Sequence, residues 1–295
     1  MATLSDLSRD IAQVVGRLGP SVVRIDARRG RPATGIIWAD NLVLTADHVL
    51  EQEDTIQITA ATTTSKASIA GRDPGTDLAL LRVEGLNGVP APRGRSMDIR
   101  LGHVVLAIGR PGELQVTLGI VSGLSGSFRS WRGAQVERLI QTTAELLPGF
   151  SGGPLVDADG GVIGINSWNF GRGVSRAVPL ETADRVAESL RTHGRIRRAY
   201  LGLGAQPVRL SETLAKQLGQ ESGLLVVTVE PGGPAQTAGL LQGDTIVTVD
   251  GDPVRHLDEL FGKLGALEVG SAHRLGVVRA GERKDVAVTV GERQR

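Results

Sequence analysis

From Ser21 to Pro179 the chain runs in short β-branched and aliphatic segments, each soon stopped by Gly, Pro, Asn or Asp, with almost no helical periodicity between them. The segments are Ser21 to Ile25, Thr34 to Trp38, Leu42 to Thr45, Thr55 to Thr59, Leu78 to Val83, Val104 to Ile108, Gln115 to Ser122, Leu139 to Thr142, Pro154 to Val156 and Val162 to Asn166. Many short strands with turn signals and little helix predict an all-β sandwich or barrel. The pattern changes on both sides of this region. Leu4, Leu7, Ile11, Val14, Val15 and Leu18 recur at helical spacing up to Gly19-Pro20, which predicts an N-terminal amphipathic helix within residues 1–20. Leu180 to His193 reads as a second helix stopped by Gly194, closing a domain over 21–193. Arg195, Arg197 and Arg198 mark a charged linker over 194–199. Residues 200–292 then mix strands (Leu224 to Val229, Thr245 to Val249, His273 to Val278, Lys284 to Val290) with helical patterns at Glu212 to Leu218 and His256 to Leu264, enough for an independent α+β module.

Composition narrows the chemistry. In 295 residues, 33 basic and 32 acidic side chains nearly cancel, so nothing in the charge calls for nucleic acid or an anionic membrane as partner. No cysteine is present, which excludes disulfides, thiolate catalysis and zinc-thiolate sites. Any nucleophile must be an oxygen or an amine, and no metal or other cofactor is expected. The N-terminus has no basic stretch followed by an apolar one, and no run of about 18 apolar residues occurs. The chain therefore reads as soluble, with cytoplasmic and periplasmic locations both open.

Three segments carry residues suited to one reaction. Gly149-Phe150-Ser151-Gly152-Gly153-Pro154 surrounds a small hydroxyl with residues that clear space around it. Serine is a poor nucleophile unless a base takes its proton and a third group orients that base. His48, after the apolar run Leu42 to Thr45, is the candidate base, since imidazole takes and returns a proton near neutral pH. Asp77 opens the run Leu78 to Val83 and is the candidate orienting acid, with Asp47 and Asp73 as competitors. The amides of Gly149 and Ser151 are candidates for an oxyanion hole. A Gly-x-Ser-x-Gly elbow of an acyl hydrolase is disfavoured, because strand periodicity follows Ser151 and the acid precedes the serine.

Thr45-Ala46-Asp47-His48-Val49, Asp77-Leu78-Ala79-Leu80 and Gly149 to Leu155, in that order, resemble the trypsin-like serine proteases, in particular the HtrA/Deg family carrying PDZ domains. The resemblance implies a mainly β fold, with a pair of six-stranded antiparallel barrels holding His48 and Asp77 on the first and Ser151 on the second. It further implies an endopeptidase acting on unfolded or misfolded protein, assembled as a homotrimer or a multiple of one. By the same resemblance Ser167 and Trp168 lie on the strand that pairs with substrate beside the S1 pocket, and Arg176 on the segment that closes it.

This chain departs from the pattern in places. Phe150 stands where other trypsin-like proteases carry an Asp, so activation by pairing that acid with a freed N-terminal amine is not expected. Arg176 replaces an aromatic or aliphatic residue, and Glu145 sits near the pocket-floor position. The P1 preference is thus open between small aliphatic side chains, as in the family, and basic ones drawn by Glu145. No aromatic residue precedes Trp38, although the family often builds its trimer with aromatics there.

Tyr200-Leu201-Gly202-Leu203, Pro231 to Ala235, Ala238-Gly239-Leu240, Gly243 to Ile246 and Asp250-Gly251 resemble a PDZ domain. That likeness implies that the amides of Leu201, Gly202 and Leu203 take a terminal carboxylate while the peptide adds to a sheet edge. Leu201, Leu203 and Phe261 would receive its apolar last side chain. The rival reading keeps both folds and makes the chain a catalytically silent, peptide-binding chaperone.

Overall fold

Two barrels carry the first half. β1 (Val22–Asp26), β2 (Ala33–Ala39), β3 (Leu42–Ala46), β4 (Gln57–Ala60), β5 (Thr63–Asp73) and β6 (Leu78–Val83) close in the order β1-β2-β3-β6-β5-β4. β7 (Val104–Gly109), β8 (Gln115–Leu124), β9 (Ile140–Thr142), β10 (Pro154–Val156), β11 (Val162–Ser167) and β12 (Ser175–Pro179) close in the order β9-β12-β11-β10-β7-β8. The computed structural model describes residues 3–292 apart from 53, 87, 127, 130–134, 137, 172, 197 and 198. Arg197 and Arg198 of the expected linker thus lie outside the described residues.

Period-2 alternation explains why several strands are apolar along their whole length. In β6, Ala79 and Leu81 fill the first barrel, whereas Leu78 and Leu80 face a seam shared with the second. In β7, Val105 and Ala107 fill the second barrel, and Leu106 and Ile108 face the same seam. Each such Leu or Ile, fully removed from water, contributes about 2 kcal/mol. The seam also receives Val14 and Leu18 of α1 (Leu4–Leu18) and Leu180, Ala183, Val186, Ala187 and Leu190 of α2 (Leu180–His193). Thr3 and Asp6 cap α1 reciprocally, and Gly194, left-handed at φ 70°, ends α2.

The chain divides into compact units at Met1–Ile196 and Arg197–Arg295. In the second, β13 (Leu203–Arg209), β14 (Ser222–Val229), β15 (Thr245–Val249), β16 (Ala272–Arg279) and β17 (Glu282–Thr289) lie in sequence order across one antiparallel sheet. β13 is an edge strand, and α4 (Leu257–Ala266), which follows α3 (Glu212–Leu218), packs beside it. Buried Asp244 accepts two 2.7 Å bonds from Arg279. Burial alone would raise its carboxyl, but those bonds and the Leu241 amide together hold it below its ordinary pKa. Its stabilisation is therefore present above the usual carboxylate range and lost as the pH falls through the lowered value.

Three of these strands, β5, β12 and β13, have no counterpart among the expected runs. β5 alternates weakly, with Thr, Ser and Lys exposed along its outer half, and β13 contains Gly204 and Pro207.

Candidate active site

His48 and Asp77 are separated in sequence but joined by strand register. β3 pairs antiparallel with β6 so that Ala46 lies opposite Leu78, which brings the residue pair after β3 onto the residue before β6. The Asp47 amide then donates to the Asp77 carbonyl at 3.0 Å, and His48 sits in a 3-10 turn over Asp47–Val49. Asp77 is 1% exposed and has φ 56°, a left-handed backbone rare for a residue other than glycine. Its carboxylate accepts from the His48 amide at 3.0 Å, from His48 Nδ1 at 2.8 Å on Oδ2, and from Ser167 Oγ at 2.5 Å. The competing acids are engaged elsewhere. Asp47 accepts from Arg72 Nε at 2.6 Å, and Asp73 accepts from the Gly75 and Thr76 amides and from Thr76 Oγ1.

Ser151 follows a turn in which the Leu147 carbonyl accepts from the Phe150 amide at 3.0 Å, with Pro148 second and Gly149 third at φ 90°. That is a type II turn, which needs a positive φ at its third residue; a type I turn would rotate the Pro148–Gly149 peptide by about half a revolution. The amides of Phe150, Gly152 and Gly153 donate to Leu147, Asn166 and Phe150 carbonyls respectively. Those of Gly149 and Ser151 donate to nothing among the described residues. Two unspent donors two positions apart, around a serine that is 3% exposed, form an arrangement suited to a developing negative oxygen.

Thr34 was not singled out as a site residue, yet it braces this loop from the first barrel. Fully buried on β2, its Oγ1 donates to the Gly149 carbonyl at 2.7 Å and accepts from the Arg110 amide at 2.8 Å, and its own amide donates to the Ser151 carbonyl at 3.3 Å. Only a polar residue opening an apolar run hinted at it. Phe150 is fully buried in the second barrel against Gly109, where a Cβ would lie 2.3 Å from its ring. Ser151 Oγ accepts from the Trp168 amide at 3.3 Å, and no hydrogen bond joins it to His48 among the described residues. Such contacts are often long before substrate binds.

The pocket candidates separate. Ser167 is buried and spends its hydroxyl on Asp77, while Trp168 is half exposed beside Ser151. Ser175 Oγ accepts from the Leu146 amide at 3.2 Å, so strand alternation turns its neighbour Arg176 to the opposite face, where its guanidinium donates to the Phe170 carbonyl. Glu145 is exposed, and its carbonyl accepts from Thr117 Oγ1.

In the second unit, the carbonyls of Leu201 and Gly202 accept from the Ala235 and Glu230 amides, whereas the amides of Leu201 and Gly202 donate to nothing among the described residues. Gly202 has φ 74°, and Tyr200 Oη donates to Glu230. Leu201 is buried in the core; Leu203 and Phe261 pack on that core while keeping part of their surface in solvent.

Comparison with known proteins agrees with this geometry. Residues 33–165 match the Trypsin-like peptidase domain family and residues 200–290 the PDZ domain family. A probable periplasmic serine endoprotease DegP-like of Pseudomonas fluorescens is 38% identical over 285 residues, covering 92% of this chain and 59% of the relative. One of the same description from Pseudomonas fulva is 39% identical over 267 residues, covering 87% and 54%. The chain thus spans under three fifths of the length of these curated relatives. Among solved structures, the HtrA-type protease AlgW with decapeptide superposes with TM-score 0.79 at 29% identity, covering 96% of this chain and 99% of that one. The same protease with tripeptide gives TM-score 0.77 at 33% identity, covering 96% and 97%. With one third of residues identical across nearly a whole solved HtrA-type protease, two closed barrels and a PDZ domain, this chain belongs to the HtrA/DegP family of trypsin-like serine proteases.

Proposed function

We propose that this chain is a serine endopeptidase working through Ser151, His48 and Asp77. The observation that carries the reading is the pair of unspent amides of Gly149 and of the buried Ser151 itself. A turn of Ser151 χ1 away from Trp168 frees Oγ for attack on the scissile carbonyl. His48 takes the hydroxyl proton, and Asp77, bonded to Nδ1, stabilises the resulting imidazolium. The carbonyl oxygen, now negative, is met by the two amides. His48 then passes the proton to the leaving amine, and water repeats the cycle to release the acyl group.

The substrates are unfolded or misfolded chains, which can lie extended in the cleft as folded proteins cannot. The relatives' names place them in the periplasm, and we place this chain's work there too. The PDZ domain captures apolar C-termini, its free Leu201 and Gly202 amides taking the carboxylate, the edge of β13 pairing with the peptide backbone, and Leu203 with Phe261 receiving the last side chain. A silent chaperone would need a collapsed nucleophile loop, and the type II turn at Gly149 argues against one.

Labelling with a fluorophosphonate probe tests the reading. The native chain is expected to label and to degrade casein, and the Ser151→Ala variant to do neither; equal labelling of the two would overturn it.

A further inference from the structure

The free edge of β13 is interrupted. The Glu230 amide donates to the Gly202 carbonyl at 2.8 Å at one end, and the Leu210 amide donates to the Glu221 carbonyl at 2.8 Å at the other. Between these ends the register runs from Leu203 opposite Val229 to Arg209 opposite Ser222. Its one irregularity, where Gly204 faces Thr228 and Ala205 faces Val226, places the extra residue on β14 and leaves the alternation of β13 intact. Even-numbered residues therefore bond to β14, and Leu203, Ala205, Pro207 and Arg209 turn their backbone groups to the open edge. Proline has no N–H to offer there. The placement also explains why proline is tolerated in this strand, since on the other phase it would remove a bond from the sheet.

We infer that Pro207 sets the length of C-terminus this PDZ domain reads, at four residues. The inference rests on the capture of C-termini proposed above. A carboxylate held at the start of β13 makes the peptide run antiparallel to it. The last residue then lies opposite Leu203, the third from last opposite Ala205 and the fifth from last opposite Pro207. The last residue donates its N–H to the Leu203 carbonyl, and the third exchanges two bonds with Ala205. The carbonyl of the fifth meets the pyrrolidine ring where a donor is required. Leaving it unpaired offsets what further pairing would contribute, so the backbone ladder ends after the fourth residue and the upstream chain leaves the edge.

Calorimetry on the full chain carrying Ser151→Ala, with N-acetylated peptides of three, four, five and seven residues ending in Val, tests this. Affinity is expected to rise from three to four residues and then to stay level. Adding Pro207→Ala restores the donor, so peptides of four, five and seven residues should tighten about fivefold, the value of roughly one hydrogen bond, since the acetyl carbonyl of the four-residue peptide stands where the fifth residue's carbonyl would, while the three-residue peptide binds as before. Pro207→Val is the second variant, β-branched and suited to an edge strand; unchanged affinity for the short peptide certifies the fold of either. A native domain that gains as much between three and seven residues as the variants do, or variants with unaltered length dependence, would overturn the inference. If C-terminally amidated peptides bind as well as the free acids, or if no peptide binds, the capture reading fails and this one with it.

Discussion

In the proposed mechanism the first barrel works through side chains and the second through main chain. There His48 and Asp77 would act through ring and carboxylate atoms held by strand register, with Asp77 in the left-handed region. The second barrel contributes, besides one hydroxyl, two amides whose direction depends on a single turn at Gly149. The two halves are not independent, because Thr34 of the first barrel holds the carbonyl of Gly149 in the second. A side-chain site is open to isosteric replacement, whereas a main-chain site changes only through backbone conformation or its braces.

The sharpest way to break this comparison is at Asp77. Asp77→Asn keeps shape but favours the wrong imidazole tautomer, and casein-peptide kcat should fall about 10⁴-fold. Asp73→Asn, changed in a turn apart from the imidazole, should leave kcat near native; the reverse pattern would reassign the acid. Next is Gly149→Ala. Its φ of 90° is strained for alanine, and the new Cβ would lie 2.6 Å from Pro111 Cβ and 2.9 Å from the Pro32 carbonyl oxygen. Loss of one oxyanion donor lowers kcat by about 10²- to 10³-fold, and steady-state kinetics should show that fall with KM much less affected. An unchanged kcat would remove main-chain stabilisation from the second barrel's role. The smallest effect is expected at the brace. Thr34→Val leaves the Gly149 carbonyl and the Arg110 amide without their buried partner, and kcat/KM should drop about tenfold. A drop as large as that of Asp77→Asn would mean the barrels are not separable in this way.

Much of the fold can be read in the chain because its strands are apolar on both faces or end in strong turn residues. Leu78 to Val83 and Leu180 to His193 coincide with their elements. β5 escapes because an outward-facing strand of Thr, Ser and Lys has no buried stripe to announce it, and β13 because glycine and proline mark loops more often than edges. In the site, the glycines around Ser151 announce a loop, but the type II turn of Pro148-Gly149 came from the structure. Thr34 was not, since what it bonds lies 115 residues away. Resemblance places Arg176 beside the pocket; in the structure its guanidinium donates to the Phe170 carbonyl, on the face opposite that on which Ser175 meets Leu146.

Local chemistry was set by sequence alone: which residues could serve as nucleophile, base and acid, and where glycine permits a positive φ. These follow from covalent structure and do not depend on partners. Tertiary structure decided which of three acids meets the histidine, which amides remain unspent and which edge of the second sheet stays open. Each of those is set by strand register and closure, and pairings between distant segments have no signature in either segment read by itself.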